Sequence, residues 1–226
     1  MKLVLTCEHG GHVIPQRYQH LFNDNSVLQS HRGYDLGSLD VFHYLKPLAD
    51  KTKYSEISRL LIELNRSLHH NNLFSEYSKS LSKSEKEDLI SSYYSVYRND
   101  VETTIKDLIK AKQNMLHVSV HSFTPNLNGK KRHCDIGLLY DSKRKTEKLF
   151  CKQLKMKLLQ LDSNLNVRFN YPYLGKADGF TTYLRKQFPK NYIGIELEIN
   201  QKYATNNKMD SKIKTKLFSA LQTIMC

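Results

Sequence analysis

The chain has 226 residues, 39% of them hydrophobic and 25% charged, enough apolar mass for a packed core, which excludes a wholly disordered chain. No window approaches the ~18 uninterrupted apolar residues of a membrane helix. Lys plus Arg number 35 against 22 Asp plus Glu, a net charge of +13, yet the basic residues are interspersed with acidic and polar ones and form no stripe, the tightest cluster being Lys130-Lys131-Arg132.

The opening residues, Met1 to Glu8, turn charged too soon for a secretory apolar region, so a cytoplasmic protein is expected. The cysteines Cys7, Cys134, Cys151 and Cys226 have no metal-type spacing and read as reduced thiols. No repeat and no Pro/Gly linker divides the chain, which reads as one domain over 1–226.

In chain order, Leu3 to Thr6 reads as a strand and Leu36 to Asp50 as a helix. Ser55 to Leu64 reads as a strand leading into a loop. Ser84 to Met115 is a long helical stretch, with Leu89, Tyr93, Val96, Tyr97, Val101, Ile105 and Leu108 recurring every three or four positions. His117 to Val120 and Ile136 to Tyr140 are strands. Thr146 to Leu161 is a helix with Leu149, Phe150, Leu154, Leu158 and Leu159 on one face. Val167 to Asn170 is a short strand, Gly179 to Gln187 a helix, Ile193 to Ile199 a strand and Ser211 to Met225 a closing helix. This alternation predicts an α/β fold on a mixed, largely parallel sheet.

In such sheets ligands bind beyond the carboxyl ends of the strands. Cys7-Glu8-His9-Gly10-Gly11-His12 follows the first strand and His121-Ser122 follows the one ending at Val120, so both exits deliver an imidazole. A catalytic zinc takes three protein ligands and keeps one open position. His9 and His121 supply two, and Asp35 is a candidate third, with a helix N-cap as its alternative role. In Ile193 to Asn200, Ile193, Ile195, Leu197 and Ile199 share one face, while Gly194, Glu196 and Glu198 share the other. A buried carboxylate there suits a general base near a metal; the alternative is the solvent face of an edge strand. Ser58-Arg59 and Asn65-Arg66 offer guanidinium and amide donors for a carboxylate, or are surface residues. A thiol nucleophile at Cys7 lacks an orienting third group.

The set resembles the N-formylglutamate amidohydrolase family. The resemblance rests on Cys7-Glu8-His9-Gly10-Gly11 with Ile14-Pro15, Tyr34-Asp35-Leu36-Gly37, Leu64-Asn65-Arg66, Val120-His121-Ser122-Phe123 and Asp135-Ile136-Gly137-Leu138. Tyr173-Leu174-Gly175 with Asp178-Gly179-Phe180-Thr181-Thr182, and Glu196-Leu197-Glu198-Ile199-Asn200, complete it, in the family's order from residue 7 to 201. Gly10-Gly11 in place of Ser-Gly, Lys176-Ala177 before Asp178, His12 and Gln201 depart from the usual pattern and mark a divergent branch.

The resemblance implies a three-layer α/β/α, zinc-carboxypeptidase-like fold and metal-assisted hydrolysis of an N-formyl or N-acyl bond of an acidic amino acid. The family's named reaction releases formate from N-formyl-L-glutamate in histidine breakdown. By the resemblance, His9, Asp35 and His121 hold Zn²⁺, and Co²⁺, Mn²⁺ or Ni²⁺ suit the same donors. Glu198 maps onto the family's catalytic glutamate, the base on the attacking water, and, outside the resemblance, the Arg59 guanidinium is expected to stabilise the oxyanion. Asn65, Arg66, Thr181 and Thr182 bind the substrate, a small anionic N-acyl amino acid. Lys130 to His133 reads as a loop over the site. No membrane or nucleic-acid partner is expected. A basic polyanion-binding protein and an inactive relative of the family are the alternative readings, the second opposed by the intact His9, His121 and Glu198.

Overall fold

Strand alternation divides the apolar residues between two cores. The computed structural model describes residues 1–225; Cys226 lies outside them. In chain order the elements are β1 (Lys2–Cys7), α1 (Ser38–Leu45), β2 (Lys51–Tyr54), α2 (Lys83–Leu89), α3 (Val96–Lys110) and β3 (Met115–Phe123). A small hairpin, β4 (Asn126–Leu127) and β5 (Lys130–Lys131), follows, then β6 (Ile136–Leu139), α4 (Lys145–Leu161), β7 (Val167–Phe169), α5 (Phe180–Gln187) and β8 (Tyr192–Asn200). A second hairpin, β9 (Ala204–Thr205) and β10 (Lys208–Met209), precedes α6 (Ser211–Met225). The central sheet has six strands in the order β2-β1-β3-β8-β6-β7, and every pair is parallel except β6 with β8. The expected mixed, largely parallel α/β architecture is therefore present.

Leu3, Leu5, Cys7, Leu116, Val118, Val120, Ile195, Leu197 and Ile199 face one side, where α1, α4 and α6 close over them. The other side starts apolar, with Val4, Met115 and Tyr192 packed against α3, α5 and the buried residues Leu60 to Leu64. Toward the carboxyl ends of the strands the same side turns polar. Thr6, His117, Ser119, His121 and Glu198 are all buried there. Polar groups at such depth need partners, and His117 shows how they are met: Nε2 is 2.8 Å from Thr6 Oγ1 and Nδ1 is 2.8 Å from the Tyr192 hydroxyl.

Several expected boundaries move. Ser55 to Leu64 is not a strand: the edge strand is the preceding Lys51–Tyr54, which is polar and lacks an apolar alternation. Leu60, Leu61, Ile62 and Leu64 are buried in turns, whose backbone is tied by the Ser58 hydroxyl to Gly33 O (2.9 Å) and the Ser78 hydroxyl to Leu60 O (3.3 Å). The long helical stretch starts with a Ser82/Glu85 capping box, passes through a π-helical turn at Ile90–Ser95 and ends at Lys110, while Met115 opens β3. Leu149 is 58% exposed and off the buried face of α4, which Phe150, Cys151, Leu154 and Leu158 form. His121 lies within β3, not beyond it. The described thiols, Cys7, Cys134 and Cys151, are free and buried, and no helix among the described residues is long and apolar enough to cross a membrane.

Candidate metal centre and substrate cleft

The turn after β1 must pass close under the segment after β2. Added Cβ atoms on Gly10 and Gly11 would lie 2.9 Å from Ser55 O and 2.8 Å from the Glu56 backbone, so this glycine pair serves chain packing. The turn sets His9 beside His121 of β3, ring centroids 5.0 Å apart. Asp35 comes from the segment before α1, its N–H donating to His9 O at 3.0 Å. Its side chain caps no helix. Instead its Oδ2 sits 3.3 Å from His9 Nδ1 and 2.9 Å from His121 Nδ1. One donor atom from each of His9, Asp35 and His121 lies within 4.8 Å of the others, and all three residues are buried.

The far nitrogen of each imidazole is backed by a carboxylate that sequence reasoning missed. His9 Nε2 is tied to Glu63 Oε1 by a close contact. His121 Nε2 stands 3.2 Å from Glu8 Oε2 and 2.8 Å from the Ser119 hydroxyl. Glu8 also accepts the Tyr97 hydroxyl at 2.9 Å and the Ser119 hydroxyl at 2.5 Å. Glu63 accepts Arg59 Nε and a terminal Arg59 nitrogen, both at 3.1 Å, and the Asn65 N–H at 2.9 Å. Burial alone would raise both carboxyls. The hydrogen bond and charge of His121 override it at Glu8, and the charges of His9 and Arg59 override it at Glu63, so both stay well below the usual carboxylate range. Signals for both existed: the alternation of β1 runs on to put Glu8 on the face of Thr6, and Glu63 is a lone carboxylate in the apolar run Leu60 to Leu64.

Burial would also lower His121, but hydrogen bonds and charge from Asp35 and Glu8 hold it well above the ordinary histidine value. The cluster thus demands positive charge between its imidazoles and Asp35. A divalent cation meets that demand with a donor set of two nitrogens and a carboxylate, the far nitrogens oriented by carboxylates as in metal sites generally.

Glu198 lies opposite His121 in the β3–β8 register. β8 is internal to the sheet, so the edge-strand alternative for Glu198 falls away. Its side chain is buried and Oε2 has no hydrogen-bond partner. Burial pushes its carboxyl up, with the charges of Asp35 and Glu196 adding and those of His121 and Arg59 opposing, to about 8. Gly137 makes room beside it: a Cβ there would lie 2.0 Å from Tyr171 O and 3.2 Å from Glu198 Cβ.

These groups open into a cleft of about 280 Å³ that His9, Asp35, Arg59, Asn65, Arg66, His121, Glu196 and Glu198 line together with Tyr173 and Asp178. Arg59 reaches Asp35 Oδ1 at 2.9 Å as well as Glu63, so three of its five N–H donors are taken. Arg66 donates to the Asp178 carbonyl, and Asn65 Oδ1 accepts the Phe180 N–H at 2.7 Å, fixing the start of α5. Thr181 is buried and donates to Glu196 Oε1 at 2.5 Å. Thr182 is outside the cleft lining, its hydroxyl bound to Ala177 O at 2.7 Å. Of the 130–133 loop, Arg132 reaches the rim, over the Tyr173 ring at 5.3 Å. A larger hollow of about 680 Å³ at the amino ends of the strands, near Met115 and Tyr192, gathers no comparable cluster of ligands.

No curated protein matches the chain significantly in sequence. Among solved structures, the gene product Atu2144 from Agrobacterium tumefaciens is similar at 25% identity and a TM-score of 0.79, over 99% of this chain and 91% of that one. An N-formylglutamate amidohydrolase from Ralstonia eutropha JMP134 shares the fold at 13% identity and a TM-score of 0.75, over 100% of this chain and 93% of that one. The N-formylglutamate amidohydrolase family model matches residues 1–204, nine-tenths of the sequence and all the clustered side chains above: the chain belongs to the N-formylglutamate amidohydrolase family.

Proposed function

We propose that residues 1–226 form one catalytic domain that hydrolyses the amide bond of a small N-formyl or N-acyl amino acid with a divalent metal, Zn²⁺ by preference, held by His9, Asp35 and His121. The carrying observation is Asp35 Oδ2 between two imidazole Nδ1 atoms, each ring backed by a buried carboxylate, beside a glutamate whose Oε2 has no partner. When bound, such an ion supplies Lewis-acid polarisation of the carbonyl and activation of water at neutral pH.

The chain's own residues divide the remaining work. Arg66, with Asn65, holds the substrate carboxylate. Glu198 takes the proton of the attacking water on its side chain and passes it to the leaving amine nitrogen. The N–H donors of Arg59 left free by Asp35 and Glu63 face the developing oxyanion. Thr181 acts through Glu196, and Thr182 keeps the 175–177 backbone in place. Three free, buried thiols fit a reducing, cytoplasmic setting. The test is hydrolysis of a panel of N-formyl amino acids, N-formyl-L-glutamate included, with release of formate. Activity should vanish with a chelator and return with zinc. Turnover indifferent to chelation would overturn the metal-dependent reading.

A further inference from the structure

Asn65 and Arg66 reach the cleft from a stretch that belongs to neither sheet nor helix. Resting on the amidohydrolase reading above, we infer that Arg98 is the positioning residue of the carboxylate clamp, acting on substrate only through Asn65 and Arg66, whose backbone it holds from outside the cleft. The Leu64 and Arg66 carbonyls bracket the clamp, and neither accepts a backbone N–H among the described residues. Carbonyls at that depth need a donor from elsewhere. One terminal nitrogen of Arg98 donates to both, at 3.0 Å to Leu64 O and 3.2 Å to Arg66 O. The Tyr94 hydroxyl adds a third bond, to Arg66 O at 2.7 Å.

Arg98 comes from α3, is 4% exposed and stands outside the cleft lining. Among the described residues no carboxylate pairs with it, and a buried charge without compensation is costly. Three rings offset that cost: the guanidinium carbon lies 4.2 Å from the centroid of Phe180 and 4.8 Å from those of Tyr94 and Tyr183. An apolar side chain would fill the same space without a charge to bury, so the two carbonyls are what the guanidinium serves. Phe180 links the stack to the clamp a second time. Its N–H donates to Asn65 Oδ1 at 2.7 Å, which leaves the NH₂ of the Asn65 amide for the cleft, as a carboxylate ligand requires. Asn65 is thus fixed through its backbone by Arg98 and through its amide by the residue on which Arg98 stacks.

The test measures kcat, KM and zinc affinity of Arg98→Met and Tyr94→Phe, using the fastest substrate of the N-formyl amino acid panel. KM should rise about tenfold in Arg98→Met and about threefold in Tyr94→Phe, while kcat and zinc affinity stay within about twofold of wild type. A merely structural role would lower stability and leave the KM of the folded protein where it is. Arg98→Met added to Arg66→Lys should raise KM little beyond Arg66→Lys alone, because both changes disable one clamp. An unchanged KM in Arg98→Met, or a rise fully additive with that of Arg66→Lys, overturns this inference and leaves the amidohydrolase standing. Should Arg98→Met not fold, an unchanged KM in Tyr94→Phe overturns it. Hydrolysis of no member of the panel overturns the amidohydrolase reading and this one with it.

Discussion

Glu8 and His121 meet across neighbouring strands, Oε2 to Nε2 at 3.2 Å, with Glu8 wholly enclosed. The carboxylate leaves His121 only its Nδ1 to turn toward Asp35, and it makes that nitrogen a stronger donor to a cation. Glu8→Gln should weaken zinc binding by about 10- to 100-fold. Competition against a coloured chelator measures it, and an unchanged affinity would remove Glu8 from the support of the site.

Glu198→Gln should keep the metal and lose turnover by at least ~10², because the amide cannot take the proton of water. Metal content and kcat on one preparation separate the two effects. Full activity would exclude Glu198 as the base.

Arg66→Lys tests the carboxylate clamp. An ammonium cannot reproduce the planar fork of a guanidinium, so KM should rise by about tenfold with kcat little changed. An unchanged KM for a carboxylate substrate would place the clamp elsewhere.

His117 is enclosed between Thr6 and Tyr192, and burial, with the Arg185 and His121 charges adding and Glu8 opposing, brings it down to about 4. The unfolded chain takes up this proton as pH falls through about 6.5, whereas the folded protein resists until about 4. The group therefore costs nothing above about pH 6.5 and progressively destabilises the fold between there and pH 4, by about 3 kcal/mol in full. In urea unfolding at pH 7 and pH 4.5, His117→Gln should lose less stability than wild type. Equal losses would show that His117 does not titrate on unfolding.

Much of this site was legible because strand alternation and strand exits are periodic signals. The alternation of Ile193 to Asn200 correctly separates Ile195 and Leu197 from Glu196 and Glu198, and the imidazoles His9 and His121 do converge. What stayed hidden depends on long-range partners. The antiparallel sense of β6 against β8 leaves no mark on Ile136 to Leu139, which is buried along its whole length. Glu63 is marked in the sequence only as a lone carboxylate among Leu60 to Leu64, and its place behind His9 comes from the fold. Thr182 stands beside the motif of the cleft, yet its hydroxyl is spent on a local carbonyl.

His9, Asp35 and His121 are proposed to form one metal centre. Its most direct test is metal content by mass spectrometry of untagged protein, beside His9→Ala and His121→Ala. About one zinc per chain in wild type, lost in both variants while their far-UV spectra stay native, is the expected result. A wild-type protein that holds no metal even after zinc addition would contradict the account.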